Sequence, residues 1–556
     1  MVNLAHMKLL TSLLCVLIAF TTLAQKKTDS LTIKLDALFS NYNNKTGPGV
    51  AVGITQNGKT IFKKGYGLAN MEYDIPITSA SIFDIASVSK QFAGLAISML
   101  VQQGKISLSD DIHKYVPEVP DFGQTITINH LVHHTSGIRD WPEGLNVAGW
   151  RWNEDFSFED IKRMIKHQKD LDFVPGTKFS YSNTGYNLLA MIVERVTGKS
   201  FREWTRENIF TPMQMTNSHF HDKESELVKN MAYSYHKEND GYQKYMTGLT
   251  AVGSSSLFTN VDDLCKWVVN FEARVVAKDP IYLRMLETVP LNNGEKNTYA
   301  FGLALEESSG LKTVSHTGGW AGYRTVILNF PDEKVSVILL GNGGMFNAFG
   351  TAGDVAKIVI GSKLKPNNDN TNTDKIKEQP TVALKPEVAK KQEGTYKLGE
   401  SWYVTLTLEN GVLMTQANGE PKFPTVSKSD STIWIDAYNA SATFVKSKDG
   451  SINSLKYRGF VAPRIEHTKP DLSQMDQYSG TYYSEEFETN YKIDYSNNKL
   501  VMRHMRLGDF ELTPDIMTAG VFSCDMGRME FTTENGKVTG FKLSRGRVKN
   551  LKFVKL

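Results

Sequence analysis

At 556 residues the chain exceeds what one hydrophobic core normally organises, so at least two domains are expected. Hydrophobic residues at 40% and charged residues at 22% are ordinary for a globular protein. A formal net charge of +3, with no dense Lys/Arg cluster, argues against a nucleic-acid partner.

In chain order, the first feature reads as a targeting segment. Lys8 precedes an apolar run from Leu9 to Ala24, and Thr22-Leu23-Ala24 offers the small residues that a signal peptidase reads. Residues 1–24 are therefore expected to be a signal peptide of a periplasmic or secreted protein. The run is too short and mixed for a membrane span, so no integral span is expected once it is removed; a single N-terminal anchor is the alternative. The remaining cysteines, Cys265 and Cys524, are far apart and do not form a disulfide framework.

Residues 31–362 read as one α/β unit, a sheet covered by helices. Gly49–Ile54, an Asn57-Gly58 turn and Thr60–Tyr66 form a hairpin pattern. Helical periodicity covers Ser87–Gln103, with apolar Val88, Phe92, Leu95, Ala96, Met99 and Leu100 and a stop at Gly104. Ile126–Leu131, Tyr186–Val196 and Val261–Phe271 also read as helical. Lys312–Ser315, Tyr323–Phe330 and Val335–Gly341 read as strands. Residues 363–385 form a linker whose polar stretch, Asn367 to Asp374, has nothing apolar to bury.

The remainder is strand-rich and repeats. Gly394-Thr395-Tyr396 opens one copy (386–468) and Gly480-Thr481-Tyr482 the other (470–556). Turns at Asp449-Gly450 and Asn535-Gly536 recur at matching places. Two small antiparallel barrels or sandwiches are expected, or one larger barrel built from both copies.

The chemistry begins at Ser87-Val88-Ser89-Lys90. Serine is a weak nucleophile and needs a base close by. Positions i and i+3 of a helix share a face, so Lys90 reaches Ser87. A buried lysine gives up its proton more readily, and a helix start favours anionic charge. Ser-x-x-Lys alone is weak: it also occurs at Ser234, Ser309, Ser362 and Ser496. Only Ser87 opens an apolar helix behind an apolar run, Ile82 to Ala86. A plain helix cap is the competing reading.

The second motif is Tyr181-Ser182-Asn183. Tyr can move a proton, and Asn can bond both a lysine and a substrate amide. The same triplet at Tyr495-Ser496-Asn497 precedes Asn498 and reads as a strand turn. The third motif, His316-Thr317-Gly318-Gly319, is expected at the end of the strand Lys312–Ser315. Its small residues let a substrate lie along a strand edge. Lys45-Thr46-Gly47 resembles it but precedes the first strand and is set aside.

Ser-x-x-Lys, Tyr-Ser-Asn and His-Thr-Gly in this order, 94 and then 135 residues apart, resemble the serine β-lactamase and penicillin-binding-protein superfamily. The likeness is closest to its class C β-lactamase-like branch of esterases and D-amino-acid peptidases. It extends over about 40–362 and includes Pro48-Gly49-Val50-Ala51-Val52, Gly65-Tyr66-Gly67 and Leu131-Val132-His133-His134-Thr135-Ser136-Gly137. The resemblance implies a β-lactamase-like α/β (α+β) fold, an antiparallel sheet covered by helices, followed by all-β barrel-like domains. It implies Ser87 as acylated nucleophile, Lys90 and Tyr181 sharing the base and acid roles, and Asn183 orienting Lys90 or the substrate. Backbone N–H groups of Ser87 and Gly319 would form the oxyanion hole, with His316 and Gly318 lining the substrate edge. His316 stands where true β-lactamases usually carry Lys. A mostly neutral His suits esters or amides without an obligatory carboxylate.

These motifs point to an exported serine hydrolase that cleaves an ester or amide of a small molecule or peptide. A true β-lactamase and a slowly acylating binding or sensing protein are the alternatives. No cofactor is expected. No metal is expected either, because neither His133-His134 nor the pair His219 and His221 has a carboxylate or Cys at ligand spacing. His133 and His134 are expected to make structural hydrogen bonds beside the site. Trp141, Trp150 and Trp152 read equally as core packing and as an aromatic wall of the cleft. Substrate identity, its stereochemistry and oligomeric state stay open.

Overall fold

The computed structural model describes residues 30–365, except 44 and 277, and 376–556, except 400–401, 419, 467–473 and 516–517. The expected signal peptide and the centre of the expected linker lie outside the described residues. The chain divides into two compact units. The first runs to Lys365 without 147–149, and the second comprises those three residues and everything beyond Lys365.

The elements that position the first unit's site are α1 (30–38), β1 (Val50–Gln56), β2 (Lys59–Tyr66), α2 (Lys90–Gln102), α3 (Asn183–Thr197), α4 (Val261–Ala273), β3 (Ala304–Ser308), β4 (Leu311–Trp320), β5 (Tyr323–Phe330), β6 (Val335–Gly341) and α5 (Ala348–Ile360). The strands form one antiparallel sheet in the order β3-β4-β5-β6-β1-β2. Asn57 and Gly58, both with positive φ, make the two-residue turn that the Asn-Gly pair predicts.

The central strands are buried on both faces, so alternate residues face different helices. Val50, Val52 and Ile54 join Val326, Leu328, Val337 and Leu339 in a core with Leu35 of α1 and Ala352, Val355 and Ile360 of α5. Each buried Val, Leu or Ile among them contributes roughly 1.5–3 kcal/mol. On the opposite face Gly53 lets α4 lie close, since a Cβ there would sit 2.6 Å from Val261 and 3.1 Å from the Cys265 sulfur. Helix α2 is buried almost all round. Gly94 in its middle admits the Phe301 carbonyl, 2.3 Å from where a Cβ would be.

Two elements differ from the sequence expectation. Ser87 lies in a 3₁₀ turn, Ala86–Ser89, and the α-helix proper starts at Lys90. Strand β4 does not stop at Ser315 but continues through His316–Gly319, because β5 pairs with it up to Trp320.

The second unit is all-β. Nine antiparallel strands between Gly394 and Ile465 form one sheet. Its outermost strands, Phe423–Pro424 and Val426–Ser429, are separated in the chain by Thr425 alone. The eight strands from Gly480–Ser484 to Val548–Lys555 form a closed barrel. Each copy has its own sheet, so the single larger barrel is not what forms. The repeat extends to single atoms. Gly394 and Gly480 share φ near +145°. Tyr396 and Tyr482 are fully buried, and each hydroxyl donates to the carbonyl four residues earlier, at 3.1 Å to Gln392 and 2.8 Å to Tyr478. Cys265 and Cys524 are free thiols. Among the described residues no helix is long and apolar enough to cross a membrane.

Candidate active site

The site is organised around Lys90. Its side chain is completely buried at the first position of α2. Its ammonium donates to Ser87 Oγ at 3.2 Å, Asn183 Oδ1 at 2.7 Å and the Ser254 carbonyl at 2.8 Å. Three acceptors match the three donors of an ammonium group and fix Nζ beside the serine. Ser87 itself is only half-buried, so its hydroxyl is reachable from outside.

The turn that carries Ser87 is backbone-strained. Ala86 sits at φ +48°, a conformation that costs an alanine on the order of 1 kcal/mol or more. Asp84 holds it by accepting the Ala86 N–H at 2.8 Å. Burial pushes the Asp84 carboxyl up to about 7, against the pull of its backbone hydrogen bonds from Ala86 and Ser256.

The second motif approaches from the start of α3. Ser182 caps this helix, accepting the Gly185 N–H. Asn183, the first helical residue, points its amide oxygen at Lys90. Its Nδ2–H and backbone N–H both donate to Asp140 Oδ1, at 3.0 and 2.6 Å. The amide therefore cannot flip without losing both neighbours. The Tyr181 ring lies 4.8 Å from Lys90 Nζ, close enough for a cation–π attraction. It also packs on His134 at 4.3 Å between centroids.

The third motif lies on β4. Gly318 packs against the residues before Ser87: a Cβ there would be 2.3 Å from the Ile85 carbonyl and 2.2 Å from Thr325 Oγ1. Thr325 ties the same carbonyl with a 2.8 Å hydrogen bond. Gly319 is exposed, and a Cβ at that position would meet nothing closer than 3.7 Å, so its strand edge is open to a substrate.

His316 departs from the role expected of it. It is buried, Nδ1 donates to the Thr317 carbonyl at 2.6 Å, and Nε2 accepts from the Tyr299 hydroxyl at 2.8 Å. Both ring nitrogens are thus used inside the protein, and the ring braces Tyr299 rather than facing a substrate. Burial, reinforced by the Lys90 charge, pushes it down to about 3, so it is neutral at pH 7.

Ser87, Asn183 and the Tyr181 ring thus meet at the Lys90 ammonium, and Gly318, on the same strand as His316 and Gly319, packs against the turn that carries Ser87. His133 and His134 make the structural hydrogen bonds expected of them. His133 Nδ1 donates to the Tyr299 carbonyl at 2.8 Å, and His134 Nδ1 accepts the Ser182 N–H at 3.1 Å. Trp141, Trp150 and Trp152 join Phe156 and Trp320 in an aromatic cluster, with the Trp141 and Trp320 rings 5.4 Å apart. Trp320 directly follows Gly319, so this packing cluster adjoins the third motif in the chain. The copy at Tyr495-Ser496-Asn497 is a hairpin turn, with Asn497 and Asn498 both at positive φ.

Sequence reasoning missed Asp140, Ser254, Tyr299 and Asp84. The structure also corrects the expectation for His219 and His221, because Glu226 folds back to within 4.8 Å of both. A separation of five to seven residues along an irregular loop carries no periodic signal.

The Beta-lactamase family model matches residues 35–348, which hold every one of these site residues. The chain belongs to the beta-lactamase family. It is 26% identical over 456 residues to Penicillin-binding protein 4* of Bacillus subtilis, covering 78% of this chain and 98% of that protein. It is 27% identical to a D-aminopeptidase of Gluconobacter oxydans, covering 56% of this chain and 59% of that enzyme. Among solved structures it shares its fold with an octameric penicillin-binding protein homologue from Pyrococcus abyssi (TM-score 0.55, 23% identity, 86% of this chain and 98% of that one). The D-amino acid amidase of Ochrobactrum anthropi SV3 shares it too (TM-score 0.52, 21% identity, 60% of this chain and 99% of that one).

Proposed function

We propose that this member of the beta-lactamase family is a serine hydrolase that cleaves an ester or amide bond through a Ser87 acyl-enzyme. Small esters and D-amino-acid amides or peptides are the substrate class. The observation that carries the reading is the simultaneous bonding of one buried Nζ, that of Lys90, to Ser87 Oγ and Asn183 Oδ1.

In this reading one proton has already left the Lys90/Tyr181 pair, and Ser87 Oγ attacks the carbonyl carbon as its own proton passes to that vacated position. The tetrahedral oxyanion is held by the backbone N–H groups of Ser87 and Gly319. The leaving alcohol or amine departs with the proton. Water then adds to the acyl-enzyme carbonyl, gives up a proton to the same pair, and releases the acid and free Ser87. The names of the D-aminopeptidase and D-amino acid amidase relatives support the amide class. The neutral, internally bonded His316 supplies no cation for a substrate carboxylate, which favours this class over β-lactams. The apolar run Leu9–Ala24 supports export to the periplasm or beyond.

The test is a substrate panel of a short nitrophenyl ester, a D-alanine anilide and a chromogenic cephalosporin, with wild type beside Ser87→Ala. Turnover of the ester or anilide that vanishes in Ser87→Ala supports the reading. Efficient cephalosporin turnover makes the protein a β-lactamase instead. A stable covalent adduct without turnover favours a sensing protein.

A further inference from the structure

We propose that His219, His221 and Glu226 form a binding site for one divalent transition-metal ion of the zinc type. His219 and His221 flank Phe220 on a short strand, His219–Phe220, so their side chains leave the same face. That strand pairs with Leu257–Thr259, and the His221 N–H donates to the Ser256 carbonyl at 2.8 Å. Phe258 packs against both imidazoles, with centroids 5.9 and 4.6 Å away. The loop after His221 returns Glu226, whose Oε2 stands 4.0 Å from His219 Nε2 and 3.8 Å from His221 Nδ1. The three donor atoms lie within 4.8 Å of one another, and among the described residues this is the one such group of His, Cys or carboxylate ligands.

A second observation points to a ligand. His219 Nε2 and His221 Nδ1 are both shut off from solvent, and neither has a hydrogen-bond partner. Leaving a buried polar atom unsatisfied destabilises the fold, and here two such atoms lie within reach of one ion. The charged groups around it are Arg202, Asp222 and Glu226. Arg202 grips Glu226 at 2.5 and 2.7 Å and Asp222 at 2.9 Å. This guanidinium satisfies the carboxylates but offers nothing to the imidazoles. Two carboxylates against one guanidinium leave a net negative charge beside the nitrogens.

Two imidazole nitrogens and one carboxylate oxygen suit zinc or cobalt, not the all-oxygen preference of calcium or magnesium. With metal–ligand bonds of about 2.0–2.2 Å, tetrahedral donors sit about 3.4 Å apart. The two Glu226 separations therefore close by about half an ångström on binding, and water takes the fourth position. The ion would pin the 222–226 loop to the strand beside Leu257–Thr259. Ser254, whose carbonyl holds Lys90, lies three residues before that strand.

The experiment uses untagged full-length protein stripped with a chelator. Zinc binding is measured by calorimetry and thermal unfolding, and cobalt by its visible absorption. One ion per chain is expected, with a higher Tm and a tetrahedral cobalt spectrum, and no response to magnesium. His219→Gln and His221→Gln should each bind zinc at least about 100-fold more weakly and lose the Tm response. Each should keep the wild-type Tm in chelator and the esterase turnover of the stripped protein. Glu226→Gln, which also disturbs Arg202, serves as the third arm. No binding by wild type, or equal binding by wild type and both histidine variants, overturns the proposal. A variant that also unfolds in chelator shows a purely structural cluster and overturns it too.

Discussion

The same two short motifs occur in both units and behave differently. In the barrel, Tyr495-Ser496-Asn497-Asn498-Lys499 contains Tyr-Ser-Asn and Ser-x-x-Lys in five consecutive residues. There Ser496 and Lys499 face each other across a two-residue turn, and Lys499 pairs with Glu511 at 2.8 Å in solvent. In the first unit the same letters are 94 residues apart and converge on a lysine with no exposed surface. Surface ion pairs are worth about 0–1 kcal/mol. A buried ammonium held by three oxygens is fixed in place. Burial and convergence, not the letters, separate the candidate active site from turn chemistry.

The strongest way to break this comparison is to remove both lysines in parallel. Lys90→Met should lower turnover of the best ester or amide on the order of 10²–10⁴-fold. Lys499→Met should leave it unchanged. Because Lys90→Met also strands Asn183 Oδ1 and the Ser254 carbonyl, circular dichroism must establish that the variant is folded. A folded Lys90→Met enzyme with wild-type rates would make Lys90 a structural cation only.

Next in size is the support behind Asn183. Asp140 fixes the orientation of the amide that fixes Lys90, so it is a positioning residue. Asp140→Ala should reduce kcat about 10- to 100-fold with little change in KM, since small misplacements of a reacting group cost that much. Asp140→Asn retains an acceptor oxygen and should recover much of the loss. A lowered Tm with unchanged kcat per folded molecule would assign Asp140 to the fold alone.

What is legible in the sequence follows from the same contrast. Ser87 and Lys90 share a helix-like face. Tyr181 and Asn183 sit at a helix start, and the Asn57-Gly58 turn is locally determined. Asp140 meets Asn183 across 43 residues, and Ser254 meets Lys90 across 164, through loops with no period to read. The sequence ends the strand before His316–Gly319 because glycines carry no strand propensity, yet pairing with β5 extends it. His316 reads as facing the substrate when only its neighbours in the chain are considered. The hydroxyl that captures it, that of Tyr299, comes from a loop 17 residues upstream.

The smallest effect concerns that same ring and has a definite sign. The unfolded chain protonates His316 near the ordinary histidine value of about 6.5, whereas the folded chain does so only near 3. The unfolded state therefore binds the extra proton in this window, and stability falls as pH drops from about 6.5, by up to about 1.4 kcal/mol per pH unit. Asp84 works in the opposite direction. Its folded carboxyl titrates at about 7, far above its unfolded value, so it weakens the fold as pH rises through the window. His130, His133 and His219 are also pushed down by burial and share the sign of His316. His316→Gln should thus flatten the acid limb of a Tm-against-pH curve by one proton's worth rather than abolish it, and Ser496→Ala should not move it. An unchanged limb in His316→Gln would mean that folding leaves His316 unshifted, so that the folded ring takes up its proton near pH 6.5. A cation would then stand beside Lys90 below that pH, reopening the case for substrates that carry a carboxylate.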